Sequence, residues 1–124
     1  MSDDNQVLAI VELGGYPDFS ALYKRCGYGC TLVTSMRKAL ASMKKSVPDI
    51  VVAEFNFQPD FRDRFSNLET LLAVLERYPA VRLIVFYEKE NLSPFEVLRK
   101  RFPFIEALPF PVDQKLLEKL VGAS

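Results

Sequence analysis

Two cysteines, Cys26 and Cys30, stand in the segment CGYGC, a pairing that raises metal or redox chemistry. A zinc site needs four ligands, and this C-x-x-x-C spacing has no second pair to complete it. The chain contains no histidine. That removes the commonest metal ligand and general base, and with them every histidine-based triad or dyad. The cysteines are therefore expected to pack as small apolar side chains, one at a helix end and one at a strand start. Gly14-Gly15 follows an apolar run, where phosphate-binding loops occur, but no G-x-G-x-x-G or Gly-Lys-Ser/Thr pattern accompanies it. It reads as a tight turn. Arg99-Lys100-Arg101 is a local positive cluster that reads as a solvated helix end, where cations favour the helix dipole.

These groups must be positioned by a chain of 124 residues, one domain's length, read as a single domain over 1–124. With 49% hydrophobic residues it can bury a substantial core. Sixteen basic residues balance sixteen acidic ones, so no global field would hold a nucleic acid or an anionic membrane. No apolar stretch approaches the roughly 20 residues of a membrane span. The start, MSDDNQ, lacks the basic and apolar regions of a signal peptide. The expectation is a cytoplasmic protein. No output domain follows within these residues, and the chain reads either as complete or as one domain of a longer protein.

Apolar runs and helical stripes alternate along the chain. Val7 to Leu13, Cys30 to Thr34, Ile50 to Phe55, Val81 to Tyr87 and Ile105 to Leu108 read as strands, most of them apolar enough for burial on both faces. Between them lie five helices. The first carries Phe19, Leu22, Tyr23 and Cys26 and stops at Gly27. The second is capped by Ser35 and carries Met36, Ala39, Leu40 and Met43. The third opens on the capping box Ser66–Glu69 and carries Leu68, Leu71, Leu72, Leu75 and Tyr78. The fourth opens on Ser93-Pro94-Phe95-Glu96, read as a capping box with proline first. The fifth is capped by Asp113 and turns Leu116, Leu117, Leu120 and Val121 inward. Strict alternation implies parallel strands with helices on both faces.

Three segments then resemble the receiver domain of bacterial response regulators. PDIVVAEFNF (48–57) resembles its third strand, which reads PD, four apolar residues, then the phosphorylated aspartate. CGYGCTLVTS with KAL downstream resembles its second strand and second helix. LPFPVD (108–113) resembles its closing L-T-K-P-F-D. The resemblance implies a three-layer α/β/α flavodoxin-like (CheY-like) fold, with a five-stranded parallel sheet of order 2-1-3-4-5 and five helices. It also implies chemistry at the carboxyl ends of the strands and a cis bond at Phe110-Pro111.

The family's pocket uses an acidic pair for Mg²⁺, an aspartate nucleophile, a Ser or Thr and a lysine. Carried onto this chain, those positions hold Glu12 beside Leu13, then Glu54, then Phe86 or Tyr87, then Phe110, and the family's switch aromatic falls on Ala107. Leu13 offers magnesium no ligand, and Phe110 supplies no charge to a phosphoryl group. The resemblance therefore implies a degenerate receiver, not phosphorylated at Glu54, with no cofactor, no metal and no enzymatic activity. Glu54 either mimics a phosphorylated state or is a tolerated polar residue at a strand end. The second reading is preferred, because the Thr and Lys that would answer a mimic are absent.

Two function classes follow. One is a phosphorylation-independent regulatory module acting through a protein partner or a homodimer. Its surface would be the helix 4–strand 5–helix 5 face, including Phe95, Arg99, Phe102, Phe104 and Lys115. The other is a small-ligand-binding domain with Glu12, Glu54 and Tyr87 as the polar groups of the edge cleft. The loop 56–66 is about five residues longer than a typical receiver's. Its Phe57, Phe61 and Phe65 read as a lid over the pocket or as an apolar contact surface.

Overall fold

A computed structural model describes residues 5–12, 17–55 and 68–122. Leu13, Gly14-Gly15, Phe57, Phe61, Phe65 and Ser66, each given a role above, lie outside these residues. The element order is β1 (Gln6–Ile10), α1 (Ser20–Arg25), β2 (Gly29–Val33), α2 (Met36–Lys45), β3 (Ile50–Glu54), α3 (Leu68–Leu75), β4 (Arg82–Glu88), α4 (Leu92–Arg101), β5 (Ile105–Phe110) and α5 (Gln114–Gly122). The five strands form one sheet of order β2-β1-β3-β4-β5, and every pairing is parallel. This is the flavodoxin-like topology that the receiver resemblance implied.

Alternation along the strands divides the core in two. Leu8, Ile10, Val51, Ala53, Leu83 and Val85 pack with α2, α3 and α4. Val7, Ala9, Ile50, Val52, Ile84 and Phe86 pack with α1 and α5. Asp49 ties the two central strands at their start. Its carboxylate accepts from the Gln6 amide at 2.7 Å, and its own amide donates to the Gln6 carbonyl at 2.9 Å. Ser35 caps α2 by accepting from the Lys38 amide at 3.1 Å, and Asp113 caps α5 by accepting from the Lys115 amide at 2.9 Å. Gly27, at φ +89°, closes α1 in the left-handed region open to glycine.

Several boundaries differ from the sequence reading. β1 ends at Ile10 rather than reaching Leu13. α1 begins at Ser20, because the Asp18 carboxylate folds over it, accepting from both the Ser20 amide and hydroxyl. Ser93 is not a cap: a 3-10 turn, Lys89–Asn91, runs straight into α4, so Ser93 is already helical. Pro94 is tolerated there because a first-turn N–H has no helical partner in any case. Tyr78 is exposed, past the end of α3, and Leu116 faces solvent while Leu117 and Val121 are buried. β5 continues through Pro109 to Phe110, which an edge strand permits. The Phe110-Pro111 bond is cis, as expected.

Phe95 is fully buried and Phe102 nearly so, whereas both were expected on a contact surface. With Leu98 they form the inward stripe of α4, at i, i+3 and i+7. Phe95→Ala is therefore expected to lower stability by about 3–5 kcal/mol. Arg99→Ala, on the outer side of the same helix, should cost less than about 1 kcal/mol. Urea unfolding of the two variants checks this, and equal losses would contradict the packing.

Candidate functional site

In this strand order the topology reverses between β1 and β3, and ligands of such folds bind outside the carboxyl ends of the strands at that point. Glu54 is the last residue of β3 and is only 4% exposed, the one buried charged residue among those described. It shares a face with Ile50 and Val52, so it looks toward the α1–α5 layer. Its register partner on β4 is Phe86, and the Phe55 amide donates to the Phe86 carbonyl at 2.8 Å. The position where the family resemblance asks for a hydroxyl is thus an aromatic ring beside the carboxylate. That ring packs edge-on against Phe19, with centroids 5.7 Å apart.

Glu54 lines a shallow cleft with Val11, Pro17, Asp18, Phe19, Leu32 and Phe86 among the walls. The helix on this side, α1, is only six residues long, and Leu32, near the carboxyl end of the edge strand β2, is 48% exposed. Tyr23 and Cys30 line the inner wall. Burial first, then the neighbouring Cys30 and Asp18, push the Tyr23 hydroxyl well above its ordinary 10.0. Burial, then Asp18, also pushes the Cys30 thiol up, against a smaller opposing pull from Lys24. Cys26 is raised too, by burial and then Glu118. Raised thiols are poor nucleophiles, in keeping with the packing role expected for both cysteines. Asp18 moves the other way, held below the ordinary carboxylate range by its hydrogen bonds from Ser20.

Glu12 is not in this cleft. It lines a second one, with Ser35, Met36, Arg37, Leu40 and Thr70, on the α2–α3 side of the sheet. The strand period explains the separation: Leu8, Ile10 and Glu12 alternate onto one face, while Ile50, Val52 and Glu54 alternate onto the other. Among the described residues no cluster of three or more acidic, cysteine or histidine side chains could hold a metal ion. Tyr87, expected in the same cleft as Glu54, is on the opposite face. It stacks on Phe95 at 4.6 Å, and Phe95 in turn lies 5.0 Å from Phe55. Phe110 pairs with Glu88 at the far end of β5, outside the Glu54 cleft. The set Glu12, Glu54 and Tyr87 is therefore not one site. The residues that do join Glu54 include Asp18, Tyr23 and Cys30. Asp18 was legible only as the polar residue after Pro17, and nothing in the sequence marks its neighbour across the cleft.

No protein-family model matches the chain, and no curated protein matches it in sequence. Solved structures do match in shape. A response regulator receiver domain protein from Clostridium thermocellum superposes with a TM-score of 0.72 at 18% identity, covering 94% of this chain and 90% of that one. The chemotaxis protein CheY4 of Vibrio cholerae gives 0.70 at 20% identity, covering 94% and 95%. The chain has the receiver-domain fold. A protein described as belonging to a family of redox sensors in the streptococci, evolved from two-component response regulators, gives 0.73 at 19% identity. This chain covers half of that protein's length.

The buried phenol makes a pH prediction. Tyr23 ionises later in the folded chain than in the unfolded one, so its contribution to stability is complete below the unfolded value and is lost as pH rises beyond it. Stability should fall as pH rises above about 10, and Tyr23→Phe should flatten that fall. Urea melts across this range test it, and parallel profiles for the two proteins would contradict the burial.

Proposed function

We propose that this receiver fold is a regulatory module that works without phosphorylation, by contact with another protein. The observation that carries the reading is the setting of Glu54. The receiver resemblance assigns this residue the phosphoacceptor position, yet it is buried in a cleft walled by Phe86, Phe19 and Val52. Glu12, the other surviving acid, opens to the opposite face of the sheet. A phosphoryl group adds between one and two negative charges and needs cations and hydrogen-bond donors to answer them. Asp18 and Glu54 would repel it, and no lysine or arginine is among the described residues lining the cleft.

Support for the contact surface comes from exposed apolar side chains on successive elements of the α4–β5–α5 side. Val97 on α4 is 50% exposed, Phe104 just ahead of β5 is 38% exposed, and Leu116 on α5 is 47% exposed. Arg99 and Lys115 flank them with positive charge, Arg99 being paired with Glu96 at 3.1 Å. Phe95 and Phe102 serve this face from beneath, by fixing the helix. The reading places the protein in the cytoplasm as a signalling component with no catalytic step and no cofactor. One structural neighbour is described as a redox sensor, which suggests a second role, but the raised thiols of Cys26 and Cys30 disfavour it.

Intact-mass measurement after incubation with acetyl phosphate and Mg²⁺ tests the central point, and the expected result is no added phosphoryl group. A phosphorylated species that disappears in Glu54→Gln would overturn the reading.

A further inference from the structure

We infer that the open edge of β2 is a docking site for an extended, acidic segment of a partner protein, which adds there as a sixth strand. This surface lies at the opposite edge of the sheet from the α4–β5–α5 face and does not depend on it.

Among the described residues β2 pairs with β1 alone. The Gly29 amide donates to the Asn5 carbonyl, and the Val33 carbonyl accepts from the Val11 amide, each at 2.9 Å. Alternate residues of a strand turn both backbone groups to the same side, so Gly29, Thr31 and Val33 serve β1. Cys30 and Leu32 turn their N–H and C=O groups to the open edge. Thr31 and Leu32 are both exposed, which leaves that edge within reach of another chain. Sheets commonly blunt such an edge with charge or proline. The other edge strand, β5, has both, in Glu106 and Pro109, whereas β2 reads Gly-Cys-Thr-Leu-Val and has neither.

The flanks of the edge select the partner. Between Asp18 and Asp49, through α1, β2 and α2, the chain holds Lys24, Arg25, Arg37, Lys38, Lys44 and Lys45 and no acid, although its charges balance overall. All of these cations are exposed. Two act on the strand itself. Lys38 donates to the Thr34 hydroxyl at 3.5 Å, just past the end of β2, and Lys24 acts on the Cys30 thiol from the α1 side, where Asp18 opposes it. On the α2 side a polar cavity of about 300 Å³ adjoins the strand, lined by Thr31 with Gln6, Ser42 and Ser46. It has room for the side chains that an added strand turns to that face, and its hydroxyls and amide can bond them. A second copy of this chain laid along the edge would set the cations against their own duplicates. A nucleic acid would use the cations and leave the outward backbone groups of Cys30 and Leu32 unanswered. An extended acidic segment uses edge, cavity and cations together.

Nitrogen-15 NMR titration of the full chain at low salt is the test, with a capped octapeptide that has a Val-Thr-Val-Thr centre between pairs of glutamates. The same peptide with pairs of lysines is the control. The expected result is saturable shifts centred on Cys30, Thr31 and Leu32, slowed exchange of the Cys30 and Leu32 amides, and a Kd on the order of 0.1 mM that weakens as salt rises. The lysine peptide should bind at least about tenfold more weakly. Leu32→Pro removes an outward N–H and leaves the bonds to β1 in place, so it should weaken the glutamate peptide about tenfold while the spectrum of the distant α4 stays unchanged. The pair Lys24→Glu and Lys38→Glu, at exposed positions, tests the charge without touching the backbone and should weaken it to a similar degree. Sedimentation of the chain alone should be the same with and without Leu32→Pro; a difference would give the edge to a second copy and overturn the assignment. Equal binding of the two peptides, shifts away from β2 and its flanks, absence of saturation, wild-type affinity in the charge-reversed pair, or tighter binding of a short duplex DNA would each overturn it as well. None of these outcomes bears on the phosphorylation experiment.

Discussion

β3 is paired on both edges and covered on both faces, and much of the rest of the molecule follows from that confinement. All five of its residues are buried, including the one that carries charge. Val51 and Ala53 pack against the α2–α3–α4 side, while Ile50 and Val52 pack against the α1–α5 side. A strand in this position has no polar surface to offer, which is why it reads as a continuous apolar run. Its last residue is the first at which the chain can present a functional group, and the strand period sends that group to the α1–α5 side. Asp49 at the other end fixes the register by bonding reciprocally with Gln6. A slip by one residue would move Glu54 to the opposite face.

An aromatic network occupies the other face at the same height. Phe55 follows Glu54, is fully buried, and meets Phe95 of α4, on which Tyr87 of β4 is stacked. Ala107, the position that the family resemblance assigns to a switch aromatic, pairs with Val85 on this same face. The ring is supplied instead by the neighbouring strand. A stacked pair of this kind adds roughly 0.5–1.5 kcal/mol beyond the area it buries. It holds α4 against the sheet by packing rather than by a hydrogen bond that could be made and broken.

At the opposite end of β4, Arg82 does a comparable task with charge. Its guanidinium forks onto Glu106 of β5, at 2.9 and 3.1 Å, and also donates to the Leu120 carbonyl in the last turn of α5. Three elements are joined by one side chain, and the pairing raises the Arg82 pKa further.

The two-sided helix cover and most helix caps were legible because they depend on periodicity and on short-range chemistry, Ser35, Asp113 and Gly27 acting within a few residues of themselves, whereas the strand order was legible only through the family resemblance. The site was legible only in part. Glu54 could be placed by its strand, but its companions could not. The separation of Glu12 from Glu54 is a question of which face each strand end presents, which depends on the pairing register of β1 and β3 and cannot be read from either segment alone. Likewise Phe95 and Phe102 were visible as aromatics on a basic helix, and only the packed position of that helix shows that they face inward. Tyr87 was assigned to the cleft from its place at a strand end, where one residue decides between two sides of the sheet.

The short α1 links these points to function. By folding its carboxylate over Ser20, Asp18 delays the helix and leaves the edge open. The same side chain then becomes the second negative charge of the space it helped create. An anion entering there meets two acids and an aromatic ring where the receiver resemblance asks for donors and a metal. The start of α1 and the end of β3 thus place two acids together at this edge, the setting that disfavours a phosphoryl group.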